Sequence, residues 1–140
     1  MKNTKSIVYS FHDPRPETAE LRLLFQQTGW AAQRSLSQVE TLLSNSDLVL
    51  TARDGGRLIG FYRAITDFTC RAFLEDMVVD EDYRGLGICS ELCDRMLDRL
   101  KHVDIIYHFS DVPFVLEMYR RRGFHDVTHL IAQEKRLEGV

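Results

Sequence analysis

The sequence predicts one α/β domain, in which a mixed, mostly antiparallel sheet carries helices on both faces. Three observations support this prediction. The 140 residues fit a single domain that can bury a sizeable core. Runs typical of strands are interleaved with runs whose apolar residues recur at helical spacing. The order of these runs, with two helices near the start and a strand–helix–strand unit later, is typical of a mixed sheet.

The chain opens with a strand and a helix. Ser6 to Phe11 is rich in β-branched and aromatic residues, and it ends before Pro14 and Pro16. From Glu17 the apolar residues repeat at helical spacing, and Gly29 closes this first helix.

A second helix and a hairpin follow. The helix is predicted to begin near Ser37, whose spacing to Glu40 fits a capping box. Leu48 to Arg53 and Arg57 to Thr66 are then two antiparallel strands, joined by a turn at Asp54-Gly55-Gly56.

The centre of the predicted fold is a parallel strand pair. Ala72 to Val79 is a fourth strand, and a glycine-containing loop leads from it into a helix that ends near Leu100. Asp104 to Phe109 is a fifth strand, and a helical crossover between two strands makes them parallel.

The chain ends with a helix and closing strands. The last helix opens at Asp111 and Pro113 and ends at Gly123. Phe124 to His129 and Leu130 to Leu137 then predict one or two closing strands.

Composition excludes several classes of function. A net charge of −3 and a pI near 5.9 argue against nucleic-acid binding, and the basic run Arg120-Arg121-Arg122 is typical of a solvated helix end. The sequence has no apolar stretch long enough to span a membrane and no signal-peptide core, so we expect a cytoplasmic protein without membrane contact. Cys70, Cys89 and Cys93 are not in metal-ligand spacing and predict reduced core residues, with no metal.

The loop between the fourth strand and its helix is the strongest candidate for a binding site. Arg84-Gly85-Leu86-Gly87-Ile88-Cys89 brings the backbone close to a ligand, and the unpaired amides at the helix start favour an anion such as phosphate. A tight strand-to-helix turn with no ligand is the alternative interpretation.

With its flanks, this loop resembles the acyl-CoA-binding motif of the GNAT superfamily of N-acetyltransferases, R/Q-x-x-G-x-G/A. Arg84, Gly87 and Cys89 occupy the named positions, and Cys89 departs from the usual Gly or Ala. A second family motif, Y-x-x-x-G-F, matches Tyr119 to Phe124. Val112 stands where the family often has Asn.

The resemblance implies transfer of an acetyl group from acetyl-CoA to an amine. It assigns the thioester oxygen and the pantetheine amides to the backbone of Met77, Val78 and Val79. It assigns the pyrophosphate to the amides of the following loop and helix start, which are those of Arg84, Gly85, Leu86, Gly87, Ile88, Cys89 and Ser90.

Two groups are needed for proton transfer in this chemistry. Tyr119 is the candidate general acid for the CoA sulfur, with a core tyrosine as the alternative. The candidate bases are Glu75, then Asp76, then Asp67. Because strand side chains alternate, we expect Glu75 and Asp76 on opposite faces, so that only one can face the amine. Either carboxylate is alternatively a structural partner of Arg63, Arg71 or a backbone amide.

The acceptor side is implied by the family to involve the segment between the first two helices and the final strands. Its candidate residues here are Trp30, Arg34, Tyr62, Asp67, Phe68 and His108, where His108 is alternatively a proton relay or a polar strand end. This set suits a small-molecule amine. A homodimer is a further expectation, since dimers are common in similar proteins.

Three other functions stay open at this stage. The same scaffold acetylates protein N-termini or lysines, and it could bind acyl-CoA without turnover as a sensor. An unrelated nucleotide-binding α/β protein would bind ATP or NAD more tightly than CoA. The sequence lacks the complete motifs of a P-loop and of a dinucleotide-binding loop.

Overall fold

The computed structural model describes residues 2–140. These form two compact units, one that runs through His108 and one from Phe109 to Val140. The prediction of a single acetyltransferase domain over residues 1–140 stays a prediction, and the two units are described separately.

The unit through His108 contains a five-stranded sheet with the strand order β1-β2-β3-β4-β5. Its strands are β1 Ile7–Phe11, β2 Leu48–Asp54, β3 Arg57–Thr66, β4 Arg71–Val79 and β5 Ile105–Tyr107. The first four strands pair antiparallel, and β4 pairs with β5 in parallel. The predicted hairpin and the predicted parallel pair are therefore confirmed.

Three helices belong to this unit: α1 Thr18–Phe25, α2 Leu36–Asn45 and α3 Ile88–Arg99. The first two bury leucines, a valine and a phenylalanine against Val49, Phe61 and Val78 of the sheet. Gly60 precedes Phe61 on β3, and a Cβ built on it would lie 3.3 Å from Leu92 and 3.6 Å from Ile88 of α3. Because neighbouring strand residues point to opposite faces, helices cover both faces of the sheet, as predicted.

The start of α2 differs from the prediction. The capping box is formed by Ser35 and Gln38, in which each side chain accepts a hydrogen bond from the other residue's backbone N–H. Ser37 and Glu40 have the same spacing, but Ser37 already lies inside the helix and cannot cap it.

The second unit contains α4, Pro113–Arg120. Arg120 pairs with Asp126 through two hydrogen bonds of 3.0 and 2.8 Å, and Arg121 pairs with Glu117. The predicted closing strands at 124–129 and 130–137 are wrong, because these residues adopt no regular secondary structure. Without them the parallel pair lies at the end of the sheet rather than at its centre.

The three cysteines carry free thiols, as predicted. Cys93 is buried and Cys89 is half-buried, but Cys70 is exposed in the β3–β4 connection. The prediction of a core position is therefore wrong for Cys70. No helix among residues 2–140 is long and apolar enough to cross a membrane.

Candidate functional site

The site is organised around an irregularity in β4. Between the pairs Phe61–Val78 and Arg63–Glu75, β4 advances three residues (78 − 75) while β3 advances two (63 − 61). This is a β-bulge, and Asp76 within it has a left-handed backbone with φ of 60°. Aspartate is among the few non-glycine residues enriched in this conformation.

The bulge overturns the expected placement of the two adjacent carboxylates. Arg63 lies opposite Glu75 in the register of β3 and β4, and it donates to the Asp76 carboxylate. Glu75 and Asp76 therefore approach the same arginine instead of pointing to opposite faces, and the charge of Asp76 raises the pKa of Glu75. Strict alternation holds only for regular extended backbone, and the left-handed residue breaks it.

Asp76 is enclosed by two arginines. Its side chain is 1 % exposed and accepts hydrogen bonds from Nη1 and Nη2 of Arg34, at 2.8 and 3.0 Å, and from Nε of Arg63 at 2.6 Å. A buried carboxylate needs such partners, because its desolvation is otherwise costly. Asp76 therefore has the structural partner Arg63 that the sequence offered as an alternative role, and Arg34 is a second partner.

Glu75 is half-buried and has a different environment. Burial raises the pKa of its carboxyl, and the negative charge of Asp76 raises it further, against the opposing charges of Arg63 and Arg34. A carboxyl whose pKa is raised toward neutrality accepts a proton from an amine more readily than an ordinary glutamate does.

The outer side of β4 is open to pairing beyond the bulge. Within residues 2–108, the ladder between β4 and β5 ends at Phe73 and Tyr107, whereas β4 continues to Val79. Backbone groups on this side of the stretch that contains Met77 and Val78 are thus not used in that ladder. An extended ligand with amide groups can pair with such a strand edge.

The loop after β4 is anchored at its start and open at its end. Asp80 is buried, and its carboxylate accepts hydrogen bonds from the Asp82 amide, from Gln27 and from Arg57. The Tyr83 hydroxyl donates to Asp54 at 2.5 Å. These contacts tie the loop to the turn that follows α1 and to the β2–β3 hairpin.

The open end of the loop leads into α3. Gly85 and Gly87 have φ of 77° and 82°, and a Cβ built on either would meet nothing within 4 Å. Gly87 caps α3 without a side-chain hydrogen bond, so no side chain at this position occupies the amides of the first turn. The nearby Arg84 donates from Nε to the carbonyl oxygen of Val79 at 3.3 Å. Open amides at a helix start are suited to a phosphate group.

A family model described as the Acetyltransferase (GNAT) family matches residues 8–124. The chain belongs to this family. Membership confirms the resemblance found in the sequence, and the fold agrees with it. A GNAT family acetyltransferase structure from Streptococcus pneumoniae superposes with a TM-score of 0.75 over 93 % of this chain and 99 % of the other, at 24 % identity.

Two curated relatives extend this comparison. The uncharacterized N-acetyltransferase ycf52 of Porphyra purpurea is 31 % identical over 111 residues, which cover 75 % of this chain and 63 % of the relative. The histone acetyltransferase TAP1 of Glycine max is 32 % identical over 118 residues, covering 75 % and 50 %. The chain thus spans about half to two thirds of the length of these relatives.

The acceptor-side candidates of this GNAT chain lie in different settings. Trp30 is 57 % exposed, and Arg34, which pairs with Asp76, lies over its ring at 5.8 Å and over that of Phe25 at 5.0 Å. Phe68 is exposed, whereas Tyr62 is buried in the core. The structure therefore brings Arg34, Trp30 and the β4 bulge together.

Two other candidates are held by the backbone or by burial. The carboxylate of Asp67 accepts hydrogen bonds from the amides of Arg71, Thr69 and Cys70, and these bonds lower its pKa. It serves the β3–β4 turn, and a lowered pKa makes it a weak base. His108 follows β5, and burial lowers its pKa.

The loop cysteine and the last helix complete the family motifs. Burial raises the pKa of Cys89, against the charge of Arg84, which keeps this thiol protonated near neutral pH. Tyr119 lies in the second unit, where its ring meets that of Phe124 edge-on at 5.0 Å and its carbonyl oxygen accepts from the Phe124 amide. The Y-x-x-x-G-F motif is therefore a local packing unit.

Sequence reasoning did not find the contacts of Asp80. An aspartate before a short turn is a typical signal for side-chain bonding to the backbone, and the bond to the Asp82 amide is of this kind. Its partners Gln27 and Arg57 lie 53 and 23 residues away, and nothing local indicates them. Within residues 2–140 no cluster of three or more acidic, histidine or cysteine side chains could hold a metal ion, and the absence of a metal stays a prediction.

Proposed function

We propose that this chain transfers an acetyl group from acetyl-CoA to a primary amine, which attacks the thioester directly within a ternary complex. Family membership supports acetyl transfer. The observation that carries the proposal is the stretch from Glu75 to Ser90, which joins a half-buried carboxyl of raised pKa to a helix start with open amides.

The residues present fit acetyl-CoA, which when bound would supply an activated acyl carbonyl. We assign its pyrophosphate to the amides from Arg84 to Ser90, because both glycines leave open space in front of the backbone there. We assign its pantetheine arm to the backbone of Met77, Val78 and Val79, where the ladder with β5 has ended.

Glu75 is our candidate for the base that accepts the proton of the attacking amine. Its raised pKa favours this role, and Asp76 is disfavoured because two arginines enclose it. Asp67 is disfavoured because backbone hydrogen bonds lower its pKa. Proton removal by a positioned side chain typically contributes about 10²–10⁴-fold to a rate.

Tyr119 is our candidate for the acid that returns a proton to the departing CoA sulfur. The argument is the family motif, in which Tyr119 is followed by Gly123 and Phe124. A direct transfer needs no enzyme nucleophile, and the raised pKa of Cys89 agrees with that.

We propose a small-molecule amine as the acceptor. The exposed Trp30 lies beside Arg34, the arginine that pairs with Asp76 in the bulge. Its indole ring offers an apolar surface to the body of a small amine. A second candidate is a protein lysine, which is favoured by the soybean relative named histone acetyltransferase.

The test is acetyl-CoA consumption, followed by release of free thiol, with two sets of acceptors. One set holds small amines such as polyamines, arylalkylamines, amino acids and aminoglycosides, and the other holds histone-tail peptides. Transfer to the first set alone supports the small-molecule assignment. Transfer to the peptides alone supports a protein acceptor instead.

Two variants and a binding measurement complete the test. Glu75→Gln and Tyr119→Phe should each lower kcat while CoA affinity, measured by calorimetry, is retained. Binding of CoA without turnover of any amine would favour the sensor function. Tighter binding of ATP or NAD than of CoA would refute the family's chemistry for this chain.

Two further expectations remain predictions. A homodimer would be detected as twice the chain mass in light scattering. A cytoplasmic location would be tested by fractionation of the source cells.

A further inference from the structure

Four charged side chains meet at the β4 bulge, and they are not equivalent. Arg34 comes from the segment between α1 and α2, Arg63 from β3, and Glu75 and Asp76 from β4. Asp76 is fully enclosed, whereas Glu75 is half-buried. Only Glu75 is therefore accessible to a substrate amine.

We propose that Asp76 is a positioning residue for Glu75: clamped by Arg34 and Arg63, it fixes the Glu75 carboxyl at the bulge and accepts its hydrogen bond once Glu75 has taken a proton. This inference rests on the proposed function, since it concerns the same base. It assigns Asp76 a role that differs from proton abstraction.

The clamp is rigid because its donors come from two directions. Arg34 binds both oxygens of Asp76 with its two terminal nitrogens, which fixes the plane of the carboxylate. Arg63 donates to Oδ2 from β3, at the register position opposite Glu75. Packing of Arg34 over Phe25 and Trp30 restricts its side chain in turn.

The backbone at the bulge brings the two carboxyls together. The left-handed conformation of Asp76 removes the alternation that would separate neighbouring strand side chains. Two carboxyls in contact cannot both ionise freely, so a proton is shared more readily between them. With Asp76 held as the partner of two guanidinium groups, Glu75 is the carboxylate of the pair that can take up a proton from the amine.

The proton balance of this arrangement is simple. The amine N–H bond breaks and its proton moves to a Glu75 oxygen while the amine nitrogen bonds to the acyl carbon, whose C=O π electrons move to the oxygen. When this tetrahedral adduct collapses, the C=O bond re-forms, the C–S bond breaks, and CoA leaves as a thiolate that takes a proton from the candidate acid Tyr119. The new Glu75 O–H then donates to Asp76, whose charge is unchanged. No co-reactant other than the proposed substrates is needed.

The charges that act on Glu75 predict opposite effects for two substitutions. Asp76 raises the pKa of Glu75, whereas Arg63 and Arg34 lower it. Asp76→Asn should therefore move the Glu75 titration to lower pH, because the neighbouring negative charge is lost. Arg34→Gln should move it to higher pH by a smaller amount. A role confined to folding would not give shifts of opposite sign.

The experiment is a carboxyl ¹³C NMR titration, in which the signal that is lost in Glu75→Gln identifies Glu75. The pH profile of kcat/KM is measured for the same variants. Asparagine tolerates a left-handed backbone, so Asp76→Asn retains the bulge. Arg34→Lys should restore the wild-type titration, because it returns the charge that Arg34→Gln removes. Asp98→Asn, an exposed carboxylate on α3, is the charge-matched control and should leave Glu75 unchanged.

The outcomes separate the two proposals. Unchanged titration in both Asp76→Asn and Arg34→Gln, or shifts of the same sign, overturns the positioning role. Loss of the acidic limb of the pH profile in Asp76→Asn, with Glu75 still titrating, would make Asp76 the base and also overturns it. If the shifts follow expectation while no amine is acetylated, the pairing is supported and the transferase assignment is refuted. If Asp76→Asn does not fold, the Arg34 variants decide.

Discussion

Replacement of Gly87 by alanine should weaken CoA binding more than it weakens the fold. Gly87 has φ of 82°, and no atom lies within 4 Å of a Cβ built there. The cost to the fold is therefore conformational, about 1–2 kcal/mol for an L-residue in this region. For a chain of this size that corresponds to a fall in Tm of roughly 3–6 °C.

The effect on CoA has a separate cause. The new methyl group would occupy the open space in front of the first-turn amides of α3, where we assign the pyrophosphate. We expect the Kd for CoA to rise at least about tenfold, equivalent to ~1.4 kcal/mol. Isothermal titration calorimetry measures the affinity, and thermal unfolding measures the stability.

Gly55→Ala provides a matched control. Gly55 also has a left-handed backbone, with φ of 62°, and it also has nothing within 4 Å, but it lies in the β2–β3 turn. It should lose similar stability and keep its CoA affinity. Equal CoA affinity in Gly87→Ala and wild type, or an equal loss of CoA affinity in both variants, would refute the assignment of the pyrophosphate to this loop.

Three further predictions concern the base, the loop anchor and the position of α3. The pKa of Glu75 is raised in the folded state, so the folded protein loses stability as pH rises above the unfolded pKa of about 4.3. Glu75→Gln should therefore raise Tm at pH 7 but not below about pH 4. A gain in Tm that persists at low pH would contradict this. Asp80→Asn should lower the free energy of unfolding and weaken CoA binding, each by about 1–3 kcal/mol, because the Asp80 side chain is 5 % exposed and holds the loop. Asp82→Asn, whose side chain is 59 % exposed, should have a smaller effect on both. Calorimetry that finds the two variants equal would exclude Asp80 as the anchor. Gly60→Ala would bring a Cβ to 3.0 Å from Ala52 and 3.3 Å from Leu92. Unfolding experiments should therefore show a free energy of unfolding lowered by about 1–3 kcal/mol. An unchanged Tm would indicate that α3 can move away freely.

Most of the sheet could be predicted because its signals are local. Alternation, the turn at Gly55-Gly56 and the helical crossover gave all five strands of the first unit. The closing strands failed for the opposite reason. Val127 and Ile131 have strand-like propensity, but a strand forms only where a neighbouring strand satisfies its backbone, and the sequence does not indicate that neighbour.

The candidate site was predictable where backbone conformation carries it. Gly85 and Gly87 predict a loop with left-handed backbone before a helix, and both residues have positive φ in the structure. The relation between Glu75 and Asp76 was not predictable, because a single bulge reverses the outcome of alternation. The pairing of Arg34 with Asp76 spans 42 residues, and no local pattern reports such a contact.

Trp30 is the single tryptophan of the chain and lies partly exposed beside Arg34, next to the Phe25 ring at 6.3 Å. Its indole fluorescence therefore reports on one place only. Quenching or a spectral shift on addition of an amine would identify an acceptor by optical titration, without a label and before any turnover is measured.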